Sequence, residues 1–323
     1  MKRLFLSLLL ISSIAFGDDP AVPKPSIEGV PTALADQIAI PAGKYAVGEK
    51  AESIELPAFE IDRFEVSIGR YAKFIEWCES NPTDEHKFDH PKSPRHLSHA
   101  AQDVTILIKN AWVRGGRVFK NLDKDEPGAA IDLNSPIVGV SWWDAYAFAK
   151  WEGKTVRGGE DRDLPTDIEW EAAARGPAGL KFPWGDVFDA GKTNSGADYT
   201  LLKPGAAAAI DGYNYWAPVD KLASDISPMK VEGMGGNVAE WVYRKSDSKE
   251  IAVLKGGSFA SGPTEMSQNT TTLPAEDCWF VYPRSDKASA SPVGPDFDRF
   301  FVGDALTQRT RALYIGFRTV RRK

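Results

Sequence analysis

The sequence predicts an α+β domain in which short antiparallel strands and a few capped amphipathic helices are joined by long irregular connections. Three observations carry that prediction. The segments Ile40 to Gly48 and Ile54 to Asp62 alternate apolar and polar residues, the pattern of strands with one buried face. Three later segments switch to helical spacing, two of them behind a Ser or Thr followed three positions on by an acid. The 323 residues include 10 tryptophans and 28 glycines, a composition suited to long loops pinned by large aromatic anchors.

The chain opens with the basic Met1-Lys2-Arg3, an apolar stretch from Leu4 to Ile14, and the small-residue site Ala15-Phe16-Gly17. Residues 1–17 therefore read as a secretory signal peptide. The apolar run is too short to span a bilayer and no other stretch is long enough, so no transmembrane anchor is expected. Asp18 follows the cleavage site with no cysteine nearby, which argues against a lipid anchor. Residues 18–36, with Pro20, Pro23, Pro25 and Pro31, read as a flexible linker. The expected location is secreted or periplasmic.

Regular structure is expected from near Ile38. After the two alternating runs, Glu65-Val66-Ser67 leads into a helix from Ile68 to Glu79, with Tyr71, Phe74, Ile75 and Cys78 on one face. A second helix follows Pro136 to Trp142, with Ser141 as cap, Asp144 as its capping-box partner, and Ala145, Phe148, Ala149 and Trp151 as the apolar side. A third starts at Thr166, with Glu169 as partner. The latter two are expected to pack on a small sheet. Between the first two helices, an amphipathic turn is expected at 104–108 and a hairpin over Trp112 to Phe119, turning at Gly115-Gly116. No internal repeat stands out.

Charged residues at 26% and hydrophobic residues at 42% are ordinary for a globular domain. A formal charge of -6 supplies no basic field to collect phosphates, so nucleic acid is not an expected partner. Cys78 and Cys278 are the two cysteines. In an oxidising compartment they could form one long-loop disulfide or remain two buried thiols, and spacing does not choose between these. Neither has a C-x-x-C partner.

Five motifs stand in a telling order: Leu164-Pro165-Thr166-Asp167-Ile168-Glu169-Trp170-Glu171-Ala172-Ala173-Ala174-Arg175-Gly176, Pro183-Trp184-Gly185, Gly236-Asn237-Val238-Ala239-Glu240-Trp241, Val253 to Ser261, and Gly316-Phe317-Arg318. Their order and spacing resemble the formylglycine-generating enzyme, or sulfatase-modifying factor, family. The resemblance implies a single domain over residues 37–323, of irregular C-type-lectin-like mixed fold with low secondary-structure content. Residues 84–130 have no counterpart in the family pattern and read as an insertion. Active members resemble R-G-G-S-W-x-C-x-x-x-x-C at the fourth motif, where paired thiolates hold Cu(I), activate oxygen and convert a Cys-x-Pro-x-Arg peptide. This chain has Ser261 and Met266 at the two cysteine positions. Soft thiolate is what Cu(I) selects, so copper is not expected and no catalytic residue is assigned.

Calcium is the metal the resemblance does imply, at two all-oxygen sites. The matching positions are Asn194 and Ser195, Asp211 with the Tyr213 carbonyl, and then Asn237, the Val238 carbonyl and Glu240. The same Asn237 and Glu240 could instead satisfy buried groups behind Trp241. All four histidines, His86, His90, His96 and His99, fall in the insertion beside Asp84 and Asp89; imidazoles there could hold zinc or iron, but they form no helix-borne metal motif, and surface-loop histidines without metal are the preferred reading. Ser258 lacks the G-x-S-x-G elbow, and Gly158-Gly159 and Gly256-Gly257 are not phosphate loops. Asn269-Thr270-Thr271 has the pattern of a glycosylation acceptor. Tyr213, Tyr215, Trp216, Trp279, Phe280 and Tyr282 are candidates for an aromatic cleft. The expected function is an exported, non-catalytic, calcium-stabilised binding or scaffold module for a protein, peptide or glycan ligand. The alternative is an enzyme of the same fold, oxidative or otherwise, with a divergent site.

Overall fold

A computed structural model of the chain describes residues 36–48, 50–93, 99, 133–195, 210–213, 216–246, 249–259, 261, 273–274 and 314–323. The expected signal peptide, all of the expected linker but Asp36, the expected turn at 104–108 and hairpin at 112–119, and His96, Tyr215, Met266, Asn269, Cys278, Trp279, Phe280 and Tyr282 lie outside the described residues.

The two alternating runs form four strands rather than two. Pro41 and Pro57 lack the N–H a ladder needs, and each divides its run. The pieces are β1 (Gln37–Ile40), β2 (Gly43–Val47), β3 (Glu52–Leu56) and β4 (Phe59–Asp62). The inner pieces β2 and β3 pair with each other, Gly43 opposite Leu56, while β1 pairs antiparallel with β4, Gln37 opposite Asp62.

Helix α1 (Ile68–Ser80) is capped by Ser67, whose side chain accepts from the Arg70 N–H. Helix α2 (Trp142–Trp151) has the full Ser141–Asp144 capping box and runs on into one π-helical turn at Glu152–Val156. Strand β5 (Arg162–Asp163) precedes α3 (Asp167–Arg175), which opens with the Thr166–Glu169 capping box. The chain then forms the hairpin β6 (Ala239–Ser246) and β7 (Lys249–Lys255), the short β8 (Leu273–Pro274), β9 (Ile315–Gly316) and β10 (Val320–Arg322).

These strands assemble as β1-β4-β10-β5 in one sheet and β8-β7-β6-β9 in another, with β2-β3 as a separate ribbon. The last strand lies between β4 and β5, so the end of the chain completes the sheet that its first described strand begins. The anticipated single sheet is thus three. Helix α2 packs on β5 and β6, and α3 packs on β2, β6 and β7.

One core lies between α1, α2 and the β6–β9 region. There the Tyr71 and Phe148 rings stack at 5.4 Å, and Phe317 meets Phe148 edge-on at 5.4 Å. A second core surrounds α3, with Trp170, Tyr45, Phe59, Met234 and Val320. Trp142 and Trp241 are buried because their indole N–H groups find partners, the Val242 carbonyl at 3.1 Å and the Val140 carbonyl at 2.9 Å. Cys78 is a free thiol on the buried side of α1, and burial pushes its pKa up to about 12. No helix among the described residues is long and apolar enough to cross a membrane.

Candidate functional site

Three motifs separated in sequence meet at the Glu240 carboxylate. Arg318 donates to both its oxygens, the shortest contact being 2.7 Å, and the Trp170 indole N–H adds a further bond at 2.8 Å. Arg318 spends its remaining donors on the carbonyls of Asp62, Arg63, Glu232 and Gly233. Nothing of this pair is exposed beyond 1%. Both charges are fully compensated, the condition for keeping an ion pair in a core.

The predicted oxygen ligands gather beside it, except for Glu240. Asn237 sits at φ 67°, a left-handed conformation that asparagine tolerates better than most residues. Its backbone N–H donates to the Asn194 carbonyl at 2.8 Å, and its side-chain oxygen accepts from Asn194 Nδ2 at 2.9 Å. The preceding Gly236 makes this approach feasible, since a Cβ there would lie 2.2 Å from the Asn194 carbonyl oxygen. Asp211 accepts from the Ser195 N–H at 3.0 Å and the Tyr213 N–H at 2.9 Å. Asn194, Ser195, Asp211, Tyr213 and Asn237 are thereby one connected group, and Val238 is buried next to it. The Asn237 amide also donates to Glu65 at 2.9 Å.

Glu65 was not among the predicted residues. Burial, reinforced by the neighbouring Glu240 carboxylate, pushes its carboxyl well above the usual range. Asp225, which accepts from Thr193 and the Gly235 and Gly236 N–H groups, is lifted by burial to about 6. No local pattern in Glu65-Val66-Ser67 announces this burial, because it follows from contacts with residues more than half the chain away.

Ser261 lies in a tight turn with Ser258. Its hydroxyl accepts from the Ser258 N–H at 3.0 Å and lies 3.2 Å from the Ser258 hydroxyl, and both residues are buried. The turn is tied to the oxygen cluster through the Phe259 N–H, which donates to the Asn237 carbonyl at 2.9 Å. Trp216 is a core residue rather than an exposed aromatic: it is 4% exposed and packs edge-on against Phe259 at 5.6 Å. Tyr213 is half-buried.

The insertion contributes a third group. His99 is buried between two carboxylates, with Nε2 2.7 Å from Asp89 and Nδ1 3.2 Å from Asp144. Burial favours its neutral form, but the bonds to Asp144 and Asp89 outweigh that and raise its pKa to about 9. The other Asp89 oxygen meets His86 Nδ1 at 2.9 Å. His90 faces elsewhere, its ring among Trp142, Trp143 and Tyr146.

The buried Arg318–Glu240 pair thus joins three of the motifs whose order resembles the sulfatase-modifying-factor family. Residues 23–323 match the Sulfatase-modifying factor enzyme 1-like domain, and the chain belongs to that family. It is 30% identical over 286 residues to the formylglycine-generating enzyme of Streptomyces coelicolor, covering 76% of this chain and 86% of that protein. It is 28% identical over 263 residues to the inactive C-alpha-formylglycine-generating enzyme 2 of Bos taurus, covering 73% and 81%. YfmG of Bacillus subtilis is 31% identical over 239 residues, 66% of this chain but 42% of that protein. The crystal structure of CarF shares the fold, with a TM-score of 0.51 at 19% identity over 90% of this chain and 98% of that one. A family whose members are named both as enzymes and as inactive gives the scaffold, and activity has to be argued from the site.

Proposed function

We propose that this chain is an exported, non-catalytic member of the family that acts as a binding or scaffold module, stabilised by calcium. The observation that carries the reading is Ser261. A hydroxyl stands where active members have the first thiol, and it is buried and engaged with Ser258. A neutral, hard oxygen has little affinity for Cu(I), and Met266 at the second position offers a thioether in place of a thiolate. The scaffold around that turn is meanwhile intact, as expected of a fold kept for binding. The ligand class we favour is a protein, peptide or glycan.

Calcium is assigned to the Asp211 end of the oxygen cluster. Asp211 brings a carboxylate to this group and is held there by the Ser195 and Tyr213 N–H groups. Asp211, with oxygens from Asn194, Ser195 and Tyr213, would hold a hard cation there and lock the connection between α3 and β6. Glu240 does not suit a second ion, because both its oxygens are committed to Arg318 and Trp170. Thermal melts with calcium and with chelator test this. At a hundredfold excess over Kd, calcium should add ~2.7 kcal/mol, roughly 5 °C or more for a domain of this size. Asp211→Ala should abolish the increment; an equal loss in chelator would sink the calcium assignment.

A further inference from the structure

We propose that His86, Asp89 and His99 form a binding site for one divalent first-row transition-metal ion, a function separate from the calcium reading. The residues come from the insertion. Their ligand atoms all lie within 4.8 Å of one another. Asp89 is the centre: one oxygen is 2.7 Å from His99 Nε2 and the other 2.9 Å from His86 Nδ1. Three donors around an ion with ~2 Å bonds stand roughly 3.3 Å apart if the geometry is tetrahedral. The two His–Asp89 distances need to widen by roughly half an ångström to admit an ion, and no pair of ligand atoms stands further apart than 4.8 Å.

The surroundings of His99 are those of a metal ligand. Its second nitrogen, Nδ1, lies 3.2 Å from Asp144, which fixes the ring and turns Nε2 toward Asp89. Asp144 is itself immobilised, because its other oxygen accepts from the Ser141 N–H at 2.8 Å and the Ser141 hydroxyl at 2.6 Å. The capping box of α2 thus orients a histidine of the insertion. The buried Phe74 ring packs tilted against the His99 imidazole, with centroids 5.1 Å apart.

Donor chemistry selects the ion. Two imidazoles and one carboxylate suit zinc or iron(II) rather than calcium, whose sites are all-oxygen. Side-chain exposures of 40% for His86, 10% for Asp89 and 2% for His99 place the group at the surface, open on the His86 side. Three protein ligands with an open side leave a coordination position for water or an exogenous ligand, the arrangement of reactive rather than purely structural centres.

The test is equilibrium dialysis of the metal-free full chain against zinc chloride, with zinc counted by mass spectrometry, before and after thiol alkylation. We expect one zinc per chain, unaffected by alkylation. His86→Ala, at the most exposed ligand, should weaken binding at least 10-fold while leaving the circular dichroism spectrum unchanged. Asp144→Asn, which acts through His99, should weaken it roughly 10- to 100-fold. Cobalt(II) added in place of zinc should give visible d–d absorption that His86→Ala removes. Failure of the wild-type chain to retain zinc, undiminished binding in His86→Ala, or loss of zinc on alkylation would each overturn the proposal.

Discussion

Asp62 shows what one residue can organise. It is wholly buried, accepting from Arg162 at 2.6 Å, from Arg70 at 3.1 Å, and from the Thr319 N–H and hydroxyl at 3.0 and 2.8 Å. Arg70 is shared with Glu152, so the network ties β4, α1, β10, β5 and the π turn together. Burial opposes its ionisation, but the two guanidinium groups prevail and hold Asp62 at about 2, against a usual 3.8. A carboxylate with a depressed folded-state pKa stabilises above its unfolded value and loses that contribution as pH falls through the folded one. We therefore expect about 2 kcal/mol of stability to disappear between pH 4 and pH 2, measured by urea unfolding across that range. Asp62→Asn should cost ~3–5 kcal/mol at neutral pH, since it leaves two buried cations undercompensated, and should flatten the acid limb. A variant as stable as wild type would contradict this account of the network.

At the scale of elements, local chemistry was legible and long-range pairing was not. The Ser141–Asp144 and Thr166–Glu169 patterns announced both capping boxes because each is complete within four residues. The division of each early run in two could have been taken from Pro41 and Pro57, each of which withholds a ladder donor. By contrast, nothing in Val320 to Arg322 says that this strand inserts between β4 and β5, because both partners are remote from it in sequence. The caps also differ in what hangs on them. Thr166→Ala should cost about 1 kcal/mol. Ser141→Ala should cost more, because its buried hydroxyl also restrains Asp144 and, through it, His99. Shifts in urea midpoint at unchanged slope would measure both; equal shifts would show that the cap and the insertion are uncoupled.

Across the whole molecule, the motifs made the scaffold legible while the chemistry had to come from geometry. Trp170, Glu240 and Arg318 were recognisable as parts of separate motifs, yet their convergence on one carboxylate is a property of the folded chain. Asn194, Ser195, Asp211, Tyr213 and Asn237 were expected as oxygen ligands from the resemblance and lie in one connected group, whereas Glu65 escaped notice because an acidic residue gives no local sign of burial, and Asp144 was legible as a capping partner but not as the neighbour of His99. The histidines stood together in sequence but carried no ligand spacing; the fold brings His86 and His99 on to Asp89 and leaves His90 among aromatic rings. Under the proposed function, the fold persists here without copper-dependent thiol oxidation. The most direct measurement is to incubate the purified chain with Cu(I), oxygen and a Cys-x-Pro-x-Arg peptide, and to follow the peptide by mass spectrometry. The account predicts an unaltered cysteine at every time point, whereas catalytic accumulation of the formylglycine product would contradict it.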